Sequence, residues 1–181
     1  MHFRYILFTF GNSSVVRSKS IKKLKSRNLI IKFTEETAPN IEELKKMAAT
    51  KTDANLRIEA VEELGKWKCR QSIDVLWRLM INDIVYEVQN AAFLKLQSFG
   101  EEVKLPRKSK GNLIKQIEKK IEKVLRSVDS DISYSEFLEI LQKKLPEEYD
   151  VYKHEMKTKF DTWLKNIINQ FLTEIRSKIK L

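Results

Sequence analysis

The stretch TDANLRIEAVEELGKW, residues 52–67, recurs in altered form as IVYEVQNAAFLKLQSF, residues 84–99. A shift of 32 residues places apolar positions of the first stretch over apolar positions of the second, at the spacing of one helix face. An alanine recurs where neighbouring helices must approach each other closely. The matched pairs are Leu56 and Val88, Ala60 and Ala92, Val61 and Phe93, Leu64 and Leu96, and Trp67 and Phe99. A helical unit that repeats after about 30 residues and keeps one buried side predicts a stack of helix pairs.

The two copies also share a pattern of residue types. A capping acid is followed by a hydrophobe next to an arginine, and then by Ala and Leu at helical spacing. The residues that carry this pattern are Asp53, Leu56, Arg57, Ala60, Val61, Leu64 and Gly65, then Asp83, Val88, Ala92 and Leu96. Residues 53–100 therefore resemble HEAT repeats of the short type also seen in phycobilisome-lyase-like proteins. The second copy departs from the pattern, with Gln89 in place of the arginine and Gln97 in place of the glycine.

Composition and resemblance together predict an all-α protein. Only 4 glycines and 3 prolines occur among 181 residues, which suits helices with short connections and does not suit a β-sandwich. The resemblance implies a short HEAT-like α-solenoid, which we expect to be followed by a C-terminal helical unit. The expected organisation is a basic arm without fixed structure at 1–36, repeats at 37–100, a linker at 101–111 and a helical domain at 112–181. The alternative is a plain helical bundle whose helices share an amphipathic pattern by chance.

Local signals predict where individual helices begin and end. The expected starts are Asn40 and Ser133, each with a glutamate three residues later as in a capping box, and Asp53, Ser72 and Asp83. Arg57 is expected on the polar side of its helix, away from the apolar face. Pro146 is expected to end one helix and to start a short turn. Outside the repeat, apolar spacing predicts helices at 112–128, 133–144 and about 156–177.

The net charge of +10 is concentrated in two segments. Residues 1–36 carry 8 basic against 2 acidic residues, and residues 101–126 carry 9 against 4. The repeat region, 37–100, is balanced with 9 of each sign. Basic segments of this kind attract nucleic acid, acidic proteins or anionic membrane surfaces, although they also serve solubility alone.

The single cysteine and the N-terminus bear on the compartment. One cysteine, Cys69, cannot form an intramolecular disulfide, so we expect a reducing, cytoplasmic environment. The first residues, MHFRYILFTF, are apolar but short, include Arg4 and precede no small-residue cleavage site, so we expect no secretory signal. Lys68 and Arg70 flank Cys69 and could make it reactive. We favour the simpler interpretation that Cys69 is a small buried hydrophobe.

The sequence predicts no catalytic residue, metal site or cofactor. His154 has no second ligand at metal-binding spacing, and the four glycines form no phosphate-binding loop. One enzymatic alternative is a DNA glycosylase built from HEAT-like helices, for which Trp67, Trp77 and Asp74 would lie near the turn between repeats. The neutral charge of the repeat and the presence of only two copies argue against this alternative.

The first functional hypothesis is a non-catalytic protein-binding adaptor. Solenoids work mainly by docking peptides or protein surfaces, and the second helix of each repeat usually lines the concave side. The expected binding residues on this helix are Arg70, Asp74, Trp77 and Arg78. Tryptophan and arginine are common anchors in interfaces, although Trp77 could equally belong to the core.

The second hypothesis is nucleic-acid binding through phosphate contacts, which would be sequence-independent and sensitive to salt. The candidate contacts are Arg17, Lys19, Lys22, Lys23, Lys25 and Arg27, then Arg107, Lys108 and Lys110, then Lys115, Lys119 and Lys123 along the predicted helix 112–128. The C-terminal unit has the outline of a helix-turn-helix. Its candidate recognition segment, PEEYDVYK, is acidic, which argues against specific DNA reading.

Overall fold

The computed structural model describes residues 33–109, 111–129 and 131–179, and within these ranges the fold is all-α. The helices are α1 (Ile41–Ala48), α2 (Ala54–Leu64), α3 (Arg70–Asn82), α4 (Tyr86–Ser98), α5 (Ile117–Leu125), α6 (Tyr134–Lys144), α7 (Pro146–Met156) and α8 (Phe160–Ile179), with a 3-10 turn at Lys157–Lys159. None of the described helices is both long enough and apolar enough to cross a membrane. The all-α prediction is therefore confirmed for the described residues.

Several helix ends follow from local chemistry. The Asp53 carboxylate accepts a hydrogen bond from the backbone N–H of Leu56 at 3.0 Å, as expected for an N-cap. Ser133 and Glu136 form the predicted capping box at the start of α6. Helix α4 ends at Ser98, and the φ of 84° at Gly100 allows the backbone N–H of the next residue to bond the Leu96 carbonyl at 3.0 Å.

Other predictions for the helix ends are wrong in part, although α1 begins directly after Asn40 as expected. Asn40 precedes α1 but makes no side-chain capping bond, because its backbone is not extended. Helix α3 begins at Arg70, two residues before the expected start at Ser72, and Ser72 is fully buried. Helix α5 is shorter than the predicted 112–128, since Gln116 adopts a left-handed conformation just before it. Pro146 is the first residue of the 11-residue helix α7, where a short turn was expected.

The first four helices form two hairpins that lie side by side. Helix α1 packs on α2 and α3 packs along α4, while α2 lies beside α4 and α1 beside α3. Two of the matched pairs from the sequence, Ala60 with Ala92 and Leu64 with Leu96, are fully buried as predicted. The pairing of the helices differs from the expectation, in which α3 is the second helix of the first repeat. The three-residue connection 83–85 folds α4 back on α3 instead. Helix α3 is therefore the first helix of a hairpin and not the second.

Close approach of α2 and α4 explains the glycine at position 65. A Cβ on Gly65 would collide with the side chain of Lys95, which crosses from α4. The Lys95 ammonium forms an ion pair with the Glu62 carboxylate at 2.5 Å. The burial of α2 and α4 does not match at every position. Leu56 is half-exposed, whereas its counterpart Val88 is fully buried.

The segment before α1 closes one end of the hairpins. Phe33 is buried and its ring meets Phe99 edge-on, with the ring centroids 5.3 Å apart. Thr34 exchanges backbone hydrogen bonds with Lys66 and Lys68, at 2.8 and 2.7 Å. The arm predicted over 1–36 therefore gives way to the packed chain by Phe33; residues 1–32 lie outside the described part.

The C-terminal helices share one continuous core with the hairpins. Helices α5, α6 and α8 pack together around buried Ile121, Phe137 and Leu164. Residues 101–109 contain no helix, in agreement with a linker there. Helix α7 nevertheless contacts α2, and the cluster of buried residues continues from the hairpins to α8. The two predicted units are thus packed against each other.

Candidate functional site

Helix α3 presents a surface that combines apolar and charged side chains. Its buried residues are Ser72, Val75, Leu76, Leu79 and Met80, which face the core. The 3.6-residue period then turns Arg70, Asp74, Trp77 and Ile81 toward the opposite side. We call the α3 surface the set formed by Arg70, Asp74, Trp77, Arg78, Ile81 and Ile84.

The four residues predicted for protein binding all lie on this surface. The Arg70 and Asp74 side chains are 90% and 62% exposed, and Arg70 Nε lies 3.4 Å from Asp74 Oδ2. Arg78 is exposed. Trp77 is half-buried and packs partly against the core.

Two further members of the α3 surface were missed from the sequence. Ile81 is 52% exposed and Ile84, just after the helix, is 39% exposed. Within the described residues, they are two of four large apolar side chains that are exposed. The signal was available in part, because Ile73, Trp77 and Ile81 follow one another at intervals of four residues along α3.

Ile84 stands between two clefts. The first has a volume of about 340 Å³ and lies between α1, α3 and α7, with Ala49, Arg78 and Val151 in its walls. The second has a volume of about 250 Å³ and is lined by Ile81, Tyr86 and residues of the segment before α5. Ile84 lines both clefts, so a partner seated on the α3 surface could place side chains on either side of it.

A buried ion pair fixes the connection that carries Ile84. Arg57 Nε and Nη2 donate to the two carboxylate oxygens of Asp83, at 2.8 and 3.2 Å, and Arg57 Nη1 donates to the Thr50 carbonyl at 2.9 Å. Asp83 also accepts from the backbone N–H of Val85 at 2.8 Å. The expectation that Arg57 faces away from the core is wrong, because its charge is satisfied inside the fold and only 6% of its side chain is exposed.

Helix α7 supplies a carboxylate to the N-terminus of each repeat helix. Asp150 accepts from the backbone N–H of Ala54, the first residue of α2, at 3.0 Å. Glu155 accepts from the backbone N–H of Tyr86, the first residue of α4, at 2.5 Å. These positions are one repeat apart. Asp150, which belongs to the acidic segment considered for DNA recognition, is therefore turned toward the hairpins of its own chain.

Seven of the twelve predicted nucleic-acid contacts lie outside the described residues. These are Arg17, Lys19, Lys22, Lys23, Lys25, Arg27 and Lys110. Lys108 is paired with Glu155 at 2.7 Å and lies over the ring of Tyr86. Lys115 precedes α5, whereas Lys119 and Lys123 lie on it, and all three are exposed, as is Arg107.

Cys69 caps α3 and is only half-buried, so the expectation of a small buried hydrophobe is wrong. Its Sγ accepts from the backbone N–H of Ser72 at 3.4 Å. Partial burial opposes ionisation, but the hydrogen bonds from Ser72 outweigh it and lower the pKa of the Cys69 thiol. The sulfur thus acts as a structural cap at a helix N-terminus.

His154 and the residues named for the glycosylase alternative make contacts within the described chain. His154 Nε2 lies 3.1 Å from Asn55 Oδ1, between α7 and α2. Across 33–109, 111–129 and 131–179, no group of three or more His, Cys, Asp or Glu residues is arranged to hold a metal ion. Of the residues named for the glycosylase alternative, Trp67 forms a backbone bridge with Thr34 and Asp74 pairs with Arg70.

Comparison of the chain with protein-family models, with curated proteins and with solved structures finds no match. The functional argument therefore depends on the geometry of the chain itself.

Proposed function

We propose that the protein is a non-catalytic adaptor that binds another protein through the α3 surface. The observation that carries this proposal is the exposure of Ile81 and Ile84 next to Trp77 and Arg78, between two clefts. Exposed apolar side chains with an aromatic and an arginine beside them are the composition of an interface centre. The fitting partner offers apolar side chains to the isoleucines and a carboxylate to Arg78.

The proposal includes a short HEAT-like stack formed by α1 to α4. Two observations support this stack. Ala60 and Ala92 are equally buried, and the side chains at positions 57 and 89 both form hydrogen bonds to Asp83. Arg57 binds the Asp83 carboxylate, and Gln89 donates to the Asp83 carbonyl at 2.7 Å. The substitution of Gln for Arg in the second copy thus keeps a contact with the same connection.

Capture from nuclease-treated cell lysate tests the adaptor role, with the full chain as bait and mass spectrometry as the readout. Ile81→Asp and Arg78→Glu should each remove the same captured protein, because they place a charge in the apolar centre or repel the partner's carboxylate. Leu94→Asp is the matched control, since Leu94 is 53% exposed but lies on α4 and lines neither cleft. Capture that persists in both test variants, or is lost equally in the control, contradicts the proposal.

Nucleic-acid binding is the second candidate, and the exposure of Arg107, Lys115, Lys119 and Lys123 favours it. Retention on heparin and a gel shift with random DNA, at low and moderate salt, test this role. Neutralising the cations of 17–27 should abolish the shift. Absence of any shift at low salt rejects this candidate and leaves the adaptor.

A further inference from the structure

A second concave surface lies between the C-terminal ends of α5 and α6. It has a volume of about 430 Å³, and we call it the α5–α6 groove. Its lining residues are Lys120, Lys123, Val124, Ser127, Lys144 and Leu145. Val124 is buried beneath it and Leu145 is half-buried, so the floor is apolar while three ammonium groups stand around the rim.

The charges of this groove are only partly compensated. Lys120 pairs with Glu148 at 2.5 Å. Lys144 donates to the Ser127 hydroxyl at 2.7 Å, which is a neutral partner, and Ser127 in turn donates to the Val124 carbonyl. Within the described residues, neither Lys123 nor Lys144 has a carboxylate at ion-pair distance. Lysines near helix C-termini offset the helix dipole, but this effect requires no concave apolar surface between them.

From this combination we infer that the α5–α6 groove binds an acidic peptide segment of a partner protein, with an apolar side chain on Val124 and Leu145 and carboxylates on Lys123 and Lys144. The charge complementarity decides the class of partner. A nucleic-acid backbone would gain from the lysines but not from the apolar floor. This surface is separate from the α3 surface and does not depend on it.

Fluorescence anisotropy with the full chain tests this inference. The probe is a short fluorescein-labelled peptide in which leucines alternate with aspartates and glutamates, and the control peptide carries asparagine and glutamine in their place. The acidic peptide should bind, and its binding should weaken as salt is raised, because the exposed charges are screened. The neutral peptide should bind at least about tenfold more weakly, the equivalent of two good ion pairs.

Variants locate the binding. Lys123→Glu combined with Lys144→Glu should weaken the acidic peptide by about tenfold or more, and Val124→Thr by a few-fold. Lys119→Glu is the matched control for Lys123→Glu made alone, since it makes the same charge change on the same helix but lies outside the groove. Lys123→Gln combined with Lys144→Gln repeats the test with a milder change, and circular dichroism verifies folding of every variant.

Four results would overturn the inference. These are absence of binding by the wild-type chain, equal binding of the neutral peptide, and an effect of Lys119→Glu as large as that of the paired reversal. The fourth is displacement of the peptide by a single-stranded oligonucleotide that itself depends on Lys123 and Lys144, which would assign the groove to nucleic acid.

Discussion

Arg57 carries a full positive charge inside the repeat and is held there by groups that are distant in sequence. The Asp83 carboxylate accepts two hydrogen bonds from it, and Asp150 lies 3.7 Å from its Nη1. A buried charge without its partner costs far more than the pair contributes when intact. The residue therefore matters less as a source of stability than as a constraint on which arrangement of α2, α3 and α7 is allowed.

Arg57→Ala should destabilise the protein by about 3–5 kcal/mol, because it leaves the Asp83 carboxylate buried without a counter-charge. Urea unfolding followed by circular dichroism measures the free energy of unfolding. Arg78→Ala is the control, since Arg78 is an exposed arginine and its loss should change stability by less than about 0.5 kcal/mol. Equal costs for the two variants would show that the buried pair does not hold the fold.

Periodicity alone could not place Arg57 correctly. The sequence identified it as part of the repeat pattern, but the helical spacing put it on the polar side. Its partners Asp83 and Asp150 are 26 and 93 positions away, and no local rule connects them. The exposed Ile81 and Ile84 show the same limit, because an apolar residue at helical spacing is expected to be buried unless the neighbouring elements are known.

At the scale of the helix, signals confined to three or four residues were the most predictable. Asp53 and Ser133 cap α2 and α6 as expected, since their carboxylate and hydroxyl groups need only a local extended backbone. Asn40 has a side chain that can cap a helix, but its backbone is not extended, so it forms no capping hydrogen bond. Pro146 shows the ambiguity of proline, which ends one helix and is also compatible with the first position of the next.

The carboxylates of α7 should act as caps from outside the helices that they serve. Asp150→Ala should expose the first turn of α2 to faster amide hydrogen exchange, and Glu155→Ala the first turn of α4, with a loss of about 1 kcal/mol each. The two exchange effects should be separable, because the acceptors are different residues, although Asp150→Ala also removes the carboxylate that lies 3.7 Å from Arg57 Nη1.

Glu147→Ala provides the control for these exchange measurements. Glu147 lies on the same helix α7, and within the described residues it forms no ion pair. Its removal should leave exchange in both first turns unchanged. Uniformly faster exchange in all three variants would indicate general loosening of α7 in place of two separate caps.

At the scale of the molecule, the described chain has one continuous core. The sequence predicted two units with a linker, and residues 101–109 indeed lack helix. What it could not predict is that α7 returns across the N-termini of α2 and α4, since these contacts join residues 96 and 69 positions apart. Tyr152 also stacks on Trp163 at 4.5 Å, which ties α7 to α8.

Because the hairpins and the C-terminal helices share one core, a destabilising substitution in either part should lower the stability of both. Leu96, in the second hairpin, and Leu164, in α8, are both fully buried. Leu96→Ala and Leu164→Ala should each lower the stability of a single unfolding transition by about 2–5 kcal/mol. Circular dichroism and tryptophan fluorescence should give the same midpoint in each variant, because Trp67 and Trp77 report on the hairpins and Trp163 on the C-terminal helices. Two separate transitions, with only one displaced by each substitution, would mean that the α7 contacts do not couple the hairpins to the rest of the chain.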